Sequence, residues 1–310
     1  DTPGHEQYTR NMATGASNAD LALLLIDARK GVLTQTRRHS FILSLIGVKH
    51  VVLVVNKIDL VDYSQDVFDK IVAEYMEFAR DLGFKSLTAV PVSALRGDNM
   101  VANSARTPWY TGSPLVPYLE QIDVSEDRTQ QKMRFPVQWV NRPNLDFRGF
   151  SGTVASGTVK VGDDVLVAAS RVPAVIARIV TMDGDQQSAI AGEAVTLVLD
   201  REIDISRGDV LSHAGETPEY SNQFQARVVW MAEEAAQPGR SYLLKVGSQV
   251  MPASITNLKF KTNVNTLEQS PARTLELNEV GTLTISTDKP IAFDPYSENG
   301  LTGGFILIDR

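Results

Sequence analysis

The chain has 310 residues, of which 43% are hydrophobic, and it carries a formal net charge of −7 at pH 7. This length allows two or three domains with buried cores, whereas the negative charge argues against nucleic-acid binding by the surface as a whole. The absence of cysteine excludes disulfides and thiolate metal sites. No apolar run reaches the length of a membrane span, and we expect a cytoplasmic protein without a membrane partner.

Residues 1–122 alternate short apolar runs with amphipathic stretches, which is the pattern of an α/β domain. The apolar runs predict buried parallel strands and are LALLLID (21–27), VVLVVNKID (51–59) and LTAVPVSA (87–94). Between them, residues 34–48 and 64–84 predict two helices. Helical spacing gives the second helix a buried face of Val67, Ile71, Tyr75 and Phe78, and Gly83 is expected to end it.

The polar segment at 124–133 separates this domain from β-rich sequence. Short apolar runs broken by Gly and Asp follow it, and residues 147–167 predict strand, turn, strand, turn and strand. A second polar break at 213–222 precedes another β-rich block. The sequence therefore predicts an α/β domain over residues 1–122 and two antiparallel barrels, over residues 133–217 and 223–310.

The motif NKID (56–59) follows the second predicted strand, and SAL (93–95) follows the third. Ligands of open α/β sheets bind beyond the carboxyl ends of the strands, so both motifs are expected at one site. The Asp59 carboxylate can accept hydrogen bonds from the N1–H and the exocyclic amine of guanine. Adenine has no such pair of donors on that edge, so this carboxylate selects guanine.

The other residues of the two motifs fit the same interpretation. Asn56 can bond the base edge and tie the neighbouring loops together, and Lys57 can lay its aliphatic stem along the base or the ribose. Backbone N–H groups that can reach the guanine oxygen belong to Ser93, Ala94 and Leu95. The alternative for all of these residues is a turn at a strand end with surface charges.

The first five residues, DTPGH, fit the phosphate side of a nucleotide site. Asp1 is placed to hold Mg²⁺ through water, Gly4 allows its N–H to approach the γ-phosphate, and His5 can orient the attacking water. The alternative for His5 is a surface histidine at a helix start. A G-x-x-x-x-G-K-[ST] loop, which cradles phosphates in P-loop proteins, is not found in the 310 residues. The chain as given is therefore expected to be a fragment that binds GTP weakly and does not hydrolyse it.

The segment DTPGHEQYTRNMATGAS (1–17) and the order of the three domains resemble the translational GTPase superfamily. Within it, residues 20–63, 107–120, 138–163 and 293–310 are similar to the large GTPase subunit of bacterial sulfate adenylyltransferase, of the CysN/NodQ type. The resemblance implies an α/β P-loop GTPase domain, incomplete at its N-terminus, followed by two all-β barrel domains.

The resemblance also implies a function. The large subunit couples GTP hydrolysis, with Mg²⁺, to the formation of adenosine 5′-phosphosulfate and pyrophosphate from ATP and sulfate. The implied partner is a small catalytic subunit that carries the ATP and sulfate sites, with no nucleic acid and no membrane. The alternative is an elongation-factor type of GTPase that delivers aminoacyl-tRNA, because the GTPase motifs are common to both classes.

Overall fold

The computed structural model describes residues 9–17, 19–124, 128–144 and 147–309. Within them, the first part of the chain forms an α/β unit in which helices and strands alternate. Its elements are α1 (Thr9–Ala16), β1 (Leu21–Asp27), α2 (Thr34–Ile46), β2 (His50–Asn56), α3 (Gln65–Ala79), β3 (Ser86–Val92) and α4 (Leu115–Gln121). The three strands and the two helices that the sequence predicts are all present. None of the described helices is long and apolar enough to cross a membrane.

The three strands are parallel and lie in the order β1-β2-β3. β2 is the centre of the sheet and is buried from His50 to Val55, because α2 and α3 cover one face and α4 covers the other. The register pairs Asp27 with Asn56, and Asn56 with Val92. The last residues of all three strands therefore stand side by side at the carboxyl edge of the sheet.

β1 is buried on only one of its two faces, so the prediction of a buried strand is wrong for the other. Leu24 and Ile26 are 8% and 2% exposed, whereas Leu23 and Leu25 are 40% and 64% exposed. Successive side chains of a strand point to opposite faces, and α4 packs over β2 and β3 on the face that Leu23 and Leu25 share. The strand type was predictable, but its one-sided burial depends on where α4 lies.

α3 has the predicted position with a slightly different buried face. Its fully buried residues are Phe68, Ile71, Tyr75 and Ala79. Val67 and Phe78, which the spacing also predicted, are only partly buried against the same core. Ser64 caps the helix by accepting a hydrogen bond from the Val67 N–H. A short 3₁₀ turn follows Ala79, and Gly83 ends it with a φ of +74°, a conformation that glycine adopts without strain.

The middle of the chain folds into a closed antiparallel barrel. Its strands are β4 (Phe135–Asn144), β5 (Phe147–Thr153), β6 (Thr158–Lys160), β7 (Asp164–Val167), β8 (Pro173–Thr181), β9 (Gly184–Gln186), β10 (Ser188–Ile190), β11 (Ala194–Leu199) and β12 (Val210–His213). The ring runs β4-β5-β11-β8-β7-β12 and returns to β4, with every neighbouring pair antiparallel. Its interior is filled by side chains no more than 1% exposed, among them Phe135, Phe150, Val165, Ile176, Leu197 and Leu211.

The last part of the chain is a second antiparallel, barrel-like sheet. Its elements are β13 (Glu219–Val229), β14 (Ser241–Val246), β15 (Gln249–Thr262), β16 (Gln269–Ser270), β17 (Val280–Phe293), α5 (Gly300–Gly303) and β18 (Phe305–Ile308). The main strand order is β13-β17-β15-β14-β18. The two outer strands approach each other where the rings of Phe224 and Phe305 meet edge to face, with centroids 5.9 Å apart. The predicted fold class, an α/β domain followed by two β-barrel domains, is therefore confirmed.

A buried ion pair joins the two β domains. Arg134, 1% exposed, donates from Nη2 to Asp294 Oδ1 at 2.8 Å and from Nε to Oδ2 at 2.9 Å. Its Nη1 donates to the carbonyl oxygen of Glu216 at 2.6 Å, and the Thr302 hydroxyl donates to Asp294 Oδ2 at 2.6 Å. Both charges are thus paired and hydrogen-bonded on several sides, which is the condition under which a buried pair is tolerated.

The last domain also contacts the α/β domain. The Tyr296 hydroxyl donates to the carbonyl oxygen of Ile46, the last residue of α2, at 2.6 Å. Val264 and Val280 belong to the same buried cluster as the core residues of α2 and α3. The three parts of the chain are therefore connected by both polar and apolar contacts.

We predict that Arg134→Ala lowers the free energy of unfolding by about 3–5 kcal/mol, because it leaves the Asp294 carboxylate buried without its partner. Urea unfolding followed by circular dichroism measures the change. The matched control is Arg178→Ala, whose ion pair with Asp185 is about half exposed on both sides and should contribute less than about 1 kcal/mol. Equal, small losses in the two variants would contradict the prediction.

The same loss should depend on pH. Burial opposes ionisation of Asp294, but hydrogen bonds from Arg134 and Thr302 outweigh it and hold the pKa of this carboxyl below its ordinary value. The contribution of the pair is therefore complete above the pKa of about 3.9 that an unfolded Asp has, and it is lost as the pH falls through the lower, folded pKa. The difference in the free energy of unfolding between Arg134→Ala and the unaltered protein, measured by urea unfolding, should therefore shrink below about pH 4.

Candidate guanine-nucleotide site

The candidate site lies at the carboxyl edge of the parallel sheet, where three loops leave β1, β2 and β3. The strands end in register at Asp27, Asn56 and Val92, so the loops that follow begin next to one another. Open α/β sheets bind their ligands beyond this edge. The structure thus brings together the NKID and SAL motifs, whose residues Asn56 and Ala94 are 38 positions apart in the chain.

Asn56 joins the two motifs directly. Its Oδ1 accepts a hydrogen bond from the Lys57 N–H at 2.7 Å and a second from the Ala94 N–H at 3.1 Å. The Ala28 N–H donates to the carbonyl oxygen of Asn56 at 2.9 Å. One residue therefore holds the loops after all three strands in a fixed relation, as the sequence predicts for an asparagine that ties the loops together.

Lys57 is held by a carboxylate that the sequence reasoning missed. It adopts a left-handed conformation with a φ of +62°, and its Nζ lies 3.0 Å from Asp27 Oδ2. Arg29 donates to both oxygens of Asp27, at 3.0 and 2.6 Å. These contacts, chiefly the hydrogen bond from Arg29, hold the pKa of Asp27 well below its ordinary value. The only signal in the sequence was the place of Asp27 at the end of a strand on the same edge.

Asp59 lies in the short 3₁₀ turn from Ile58 to Val61, and its side chain is 6% exposed. The Ser93 hydroxyl donates to its carboxylate and is the main cause of a pKa below the ordinary value. Arg96 adds a contact from Nε to Oδ2 at 3.4 Å. Asp59 is therefore a fixed, ionised acceptor at neutral pH, which is the form that two N–H donors of guanine require.

In the SAL loop, more backbone N–H groups are hydrogen-bonded within the protein than the sequence suggests. The Ser93 N–H donates to the Asp98 carbonyl at 3.2 Å, and the Ala94 N–H is taken by Asn56. The Gly97 N–H returns to the Ser93 carbonyl at 2.8 Å and closes the loop. Among the described residues, Leu95 is thus the member of the motif whose N–H has no acceptor, and its side chain is 90% exposed.

A polar network supports both loops from behind. The Tyr63 hydroxyl donates to Asp98 Oδ2 at 2.9 Å, and the Ser104 hydroxyl donates to Oδ1 at 2.7 Å. Arg106 Nη1 donates to the Tyr63 hydroxyl at 3.0 Å. The Trp109 indole N–H donates to the carbonyl oxygen of Tyr63 at 3.0 Å. These residues fix the loop after NKID against the loop after SAL, and no motif in the sequence points to them.

The phosphate side of the predicted site, Asp1, Gly4 and His5, lies outside the described residues. In the part of the chain that the structure describes, no group of three or more His, Asp or Glu side chains is arranged to hold a metal ion. The described part of the candidate site is therefore the side that the sequence predicts to recognise the base.

Sequence profiles of three domain families match the chain. They are the elongation factor Tu GTP binding domain over residues 1–170, elongation factor Tu domain 2 over residues 150–212, and the GTP-eEF1A C-terminal domain-like family over residues 223–310. The order of the three families is the order of the α/β domain and the two β domains along the chain.

Curated relatives align with the whole chain. It is 55% identical to the bifunctional enzyme NodQ of Rhizobium sp. (strain N33), covering 100% of this chain and 48% of that protein. It is 52% identical to sulfate adenylyltransferase subunit 1 of Aliarcobacter butzleri (strain RM4018), covering 100% and 66%. It is 53% identical to the bifunctional enzyme CysN/CysC of Rhodopirellula baltica (strain DSM 10527 / NCIMB 13988 / SH1), covering 100% and 48%. The chain spans about half the length of the bifunctional relatives that it matches.

Two solved structures have the same fold. Sup35 complexed with GMPPNP aligns with a TM-score of 0.53 at 24% identity, covering 96% of this chain and 76% of that one. Sup35 complexed with GDP aligns with a TM-score of 0.55 at 25% identity, covering 96% and 77%. With a family profile that matches more than half of its length and the loops of NKID and SAL joined at the sheet edge, the chain belongs to the elongation factor Tu GTP-binding family of translational GTPases.

Proposed function

We propose that this chain is part of the GTP-binding large subunit of a sulfate adenylyltransferase. In the proposed reaction, a sulfate oxygen bonds to the α-phosphorus of ATP and pyrophosphate leaves, giving adenosine 5′-phosphosulfate. GTP hydrolysis on the large subunit helps to drive this unfavourable step. The observation that carries the proposal is the 52% identity to a sulfate adenylyltransferase subunit 1 over the whole chain, both β domains included.

The base of GTP is proposed to bind at Asp59. The ionised, fixed carboxylate accepts the N1–H and the exocyclic amine of guanine, and the Leu95 N–H is the donor left for the guanine oxygen. Lys57, anchored through Nζ to Asp27, presents its aliphatic stem to the base or ribose. Asn56 sets the distance between the two loops through its two accepted hydrogen bonds. Ser93 and Ala94 shape the loop.

The phosphates are proposed to lie towards Asp1, Gly4 and His5. Asp1 would hold Mg²⁺ through water, and the ion would neutralise charge on the phosphates. The Gly4 N–H would approach the γ-phosphate, and His5 would orient the attacking water. The spacing of these three residues in DTPGH supports the assignment.

The proposed partner is a small catalytic subunit that binds ATP and sulfate. The designation of relatives as subunit 1 supports a second subunit. The substrates ATP, GTP and sulfate are all available in the cytoplasm, where we place the protein. Delivery of aminoacyl-tRNA, the alternative function, has less support, because the relatives at 49–55% identity are named as sulfate adenylyltransferase subunits or bifunctional enzymes.

The test uses the complete protein produced together with the small subunit of the same organism. Release of pyrophosphate from ATP in the presence of sulfate is measured with and without GTP. We expect sulfate-dependent release that GTP stimulates, and GTP consumption that accompanies it. If sulfate causes no release of pyrophosphate, or if the protein instead forms a stable GTP-dependent complex with aminoacyl-tRNA, the proposal is wrong.

We predict that Asp59→Asn in the complete protein weakens GTP binding by about 2–3 kcal/mol and shifts preference towards xanthosine triphosphate. The substitution removes a charge-assisted acceptor, while the new amide N–H can donate to the additional oxygen of xanthine. A competition assay between the two nucleotides measures the shift. Asp62 is an exposed carboxylate of the same loop, so the control variant Asp62→Asn should retain the preference for GTP. If Asp59→Asn also retains that preference, NKID does not bind the base.

We predict that His5→Ala in the complete protein lowers kcat for GTP hydrolysis about a hundredfold or more and leaves nucleotide affinity nearly constant. Orientation of the attacking water acts in the transition state, so the loss belongs to kcat. Single-turnover hydrolysis and equilibrium binding separate the two quantities. His213→Ala in the first barrel, where the imidazole pairs with Asp163, should change neither. Parallel losses of affinity and kcat in His5→Ala would assign His5 to binding or packing.

A further inference from the structure

Arg96 lies on the carboxylate that is proposed to recognise guanine. Its Nε is 3.4 Å from Asp59 Oδ2, and its side chain is 55% exposed. The backbone of Arg96 is fixed, because its N–H donates to the carbonyl and hydroxyl oxygens of Ser93, at 3.2 and 3.3 Å. The guanidinium is held much less firmly. Among the described residues, its contact with Asp59 is its one hydrogen bond, and 3.4 Å is well beyond the usual N–H···O distance of about 2.9–3.0 Å.

Arginine and guanine offer the same donors to a carboxylate. The edge of guanine that contains N1, C2 and the exocyclic amine is itself a guanidine unit, with two N–H groups pointing the same way. The arginine side chain has the same planar fork and matches carboxylate geometry for the same reason. Arg96 therefore offers the Asp59 carboxylate the same kind of donor group that the guanine base would offer.

The Arg96 side chain and the base would compete for the same carboxylate of Asp59. A carboxylate has about four lone-pair sites. The Ser93 hydroxyl and Arg96 Nε both donate to it. Guanine needs two sites that face the same way, which is the same forked geometry in which a guanidinium approaches a carboxylate. Ser93 is fully buried, whereas the Arg96 side chain is 55% exposed, so Arg96 is the donor that can leave.

We propose that the Arg96 side chain takes the place of guanine on Asp59 when no nucleotide is bound, and that the base displaces it on binding. This inference rests on the proposed function, since it concerns regulation of the same site. Arg96 acts as a competitor within the protein that weakens the binding of every guanine nucleotide, GDP and GTP alike, because the contact concerns the base alone. It also captures the carboxylate as a nucleotide leaves, which favours exchange.

The test is the affinity of the complete protein for GDP and GTP, by calorimetric titration. Arg96→Ala should tighten the binding of both nucleotides by about two- to fivefold, the range of an exposed ion pair, and the gain should shrink at high salt. Arg80→Ala removes an exposed arginine at the far end of α3, where it pairs with Glu77 and Asp81, and should leave both affinities unchanged. In an Asp59→Asn background, Arg96→Ala should leave the affinity for xanthosine diphosphate unchanged, because the charged partner is gone.

Each other result overturns the inference in a recognisable way. Weaker binding in Arg96→Ala would mean that the guanidinium covers the bound base, and unchanged binding would mean that the contact with Asp59 has no effect. A gain that persists in the Asp59→Asn background would assign the effect to general charge rather than to this carboxylate. If the unaltered protein binds no guanine nucleotide, the proposed function fails first and this inference falls with it. If it binds GTP and Arg96→Ala does not bind it more tightly, only the role of Arg96 is wrong.

Discussion

The parallel pairing of β2 between β1 and β3 is the constraint on which the candidate site depends. Because the pairing is in register, the three strands end side by side at Asp27, Asn56 and Val92. The loops that follow them therefore meet within hydrogen-bond distance. The Oδ1 atom of Asn56 alone then links two of these loops, by accepting one hydrogen bond from each. The burial of β2 by helices on both faces makes this register costly to change, since a slip by one residue would turn its apolar side chains to the wrong faces.

The two β domains are coupled to this sheet by a small number of well-defined contacts. Arg134 and Asp294, 160 residues apart, bring the barrel and the last domain together, and Tyr296 continues the connection to the end of α2. Since Asp294 and Tyr296 are two residues apart, one short segment after β17 touches both other parts of the chain. The segment is therefore suited to keep the α/β domain and the closed barrel in a defined orientation.

Local patterns in the sequence predicted much of this architecture, and long-range pairing decided the rest. The apolar runs placed all three parallel strands, and the order of NKID and SAL after two of them predicted that Asn56, Asp59 and Ser93 would meet. The role of Asp27 depends on the register between β1 and β2, which no local pattern contains. Likewise, the partner of Arg134 lies in another domain.

Two further differences have equally physical causes. The exposure of Leu25 follows from the position of α4 over the other two strands, and an apolar run alone does not indicate which face a helix covers. The sequence predicts that the Ala94 N–H is available to a ligand, but in the fold it donates to Asn56 Oδ1. Backbone groups next to a motif are counted correctly only when their partners inside the protein are known.

The position of Trp109 has an optical consequence. Its indole N–H is bonded to the carbonyl oxygen of Tyr63, and its ring lies 5.3 Å from that of Phe68 at the start of α3. It is one of three tryptophans in the chain, and Trp139 and Trp230 belong to the β domains. A displacement of the loop after NKID changes the hydrogen bond and the packing of one indole only, so the emission of Trp109 records events at the sheet edge without an added label.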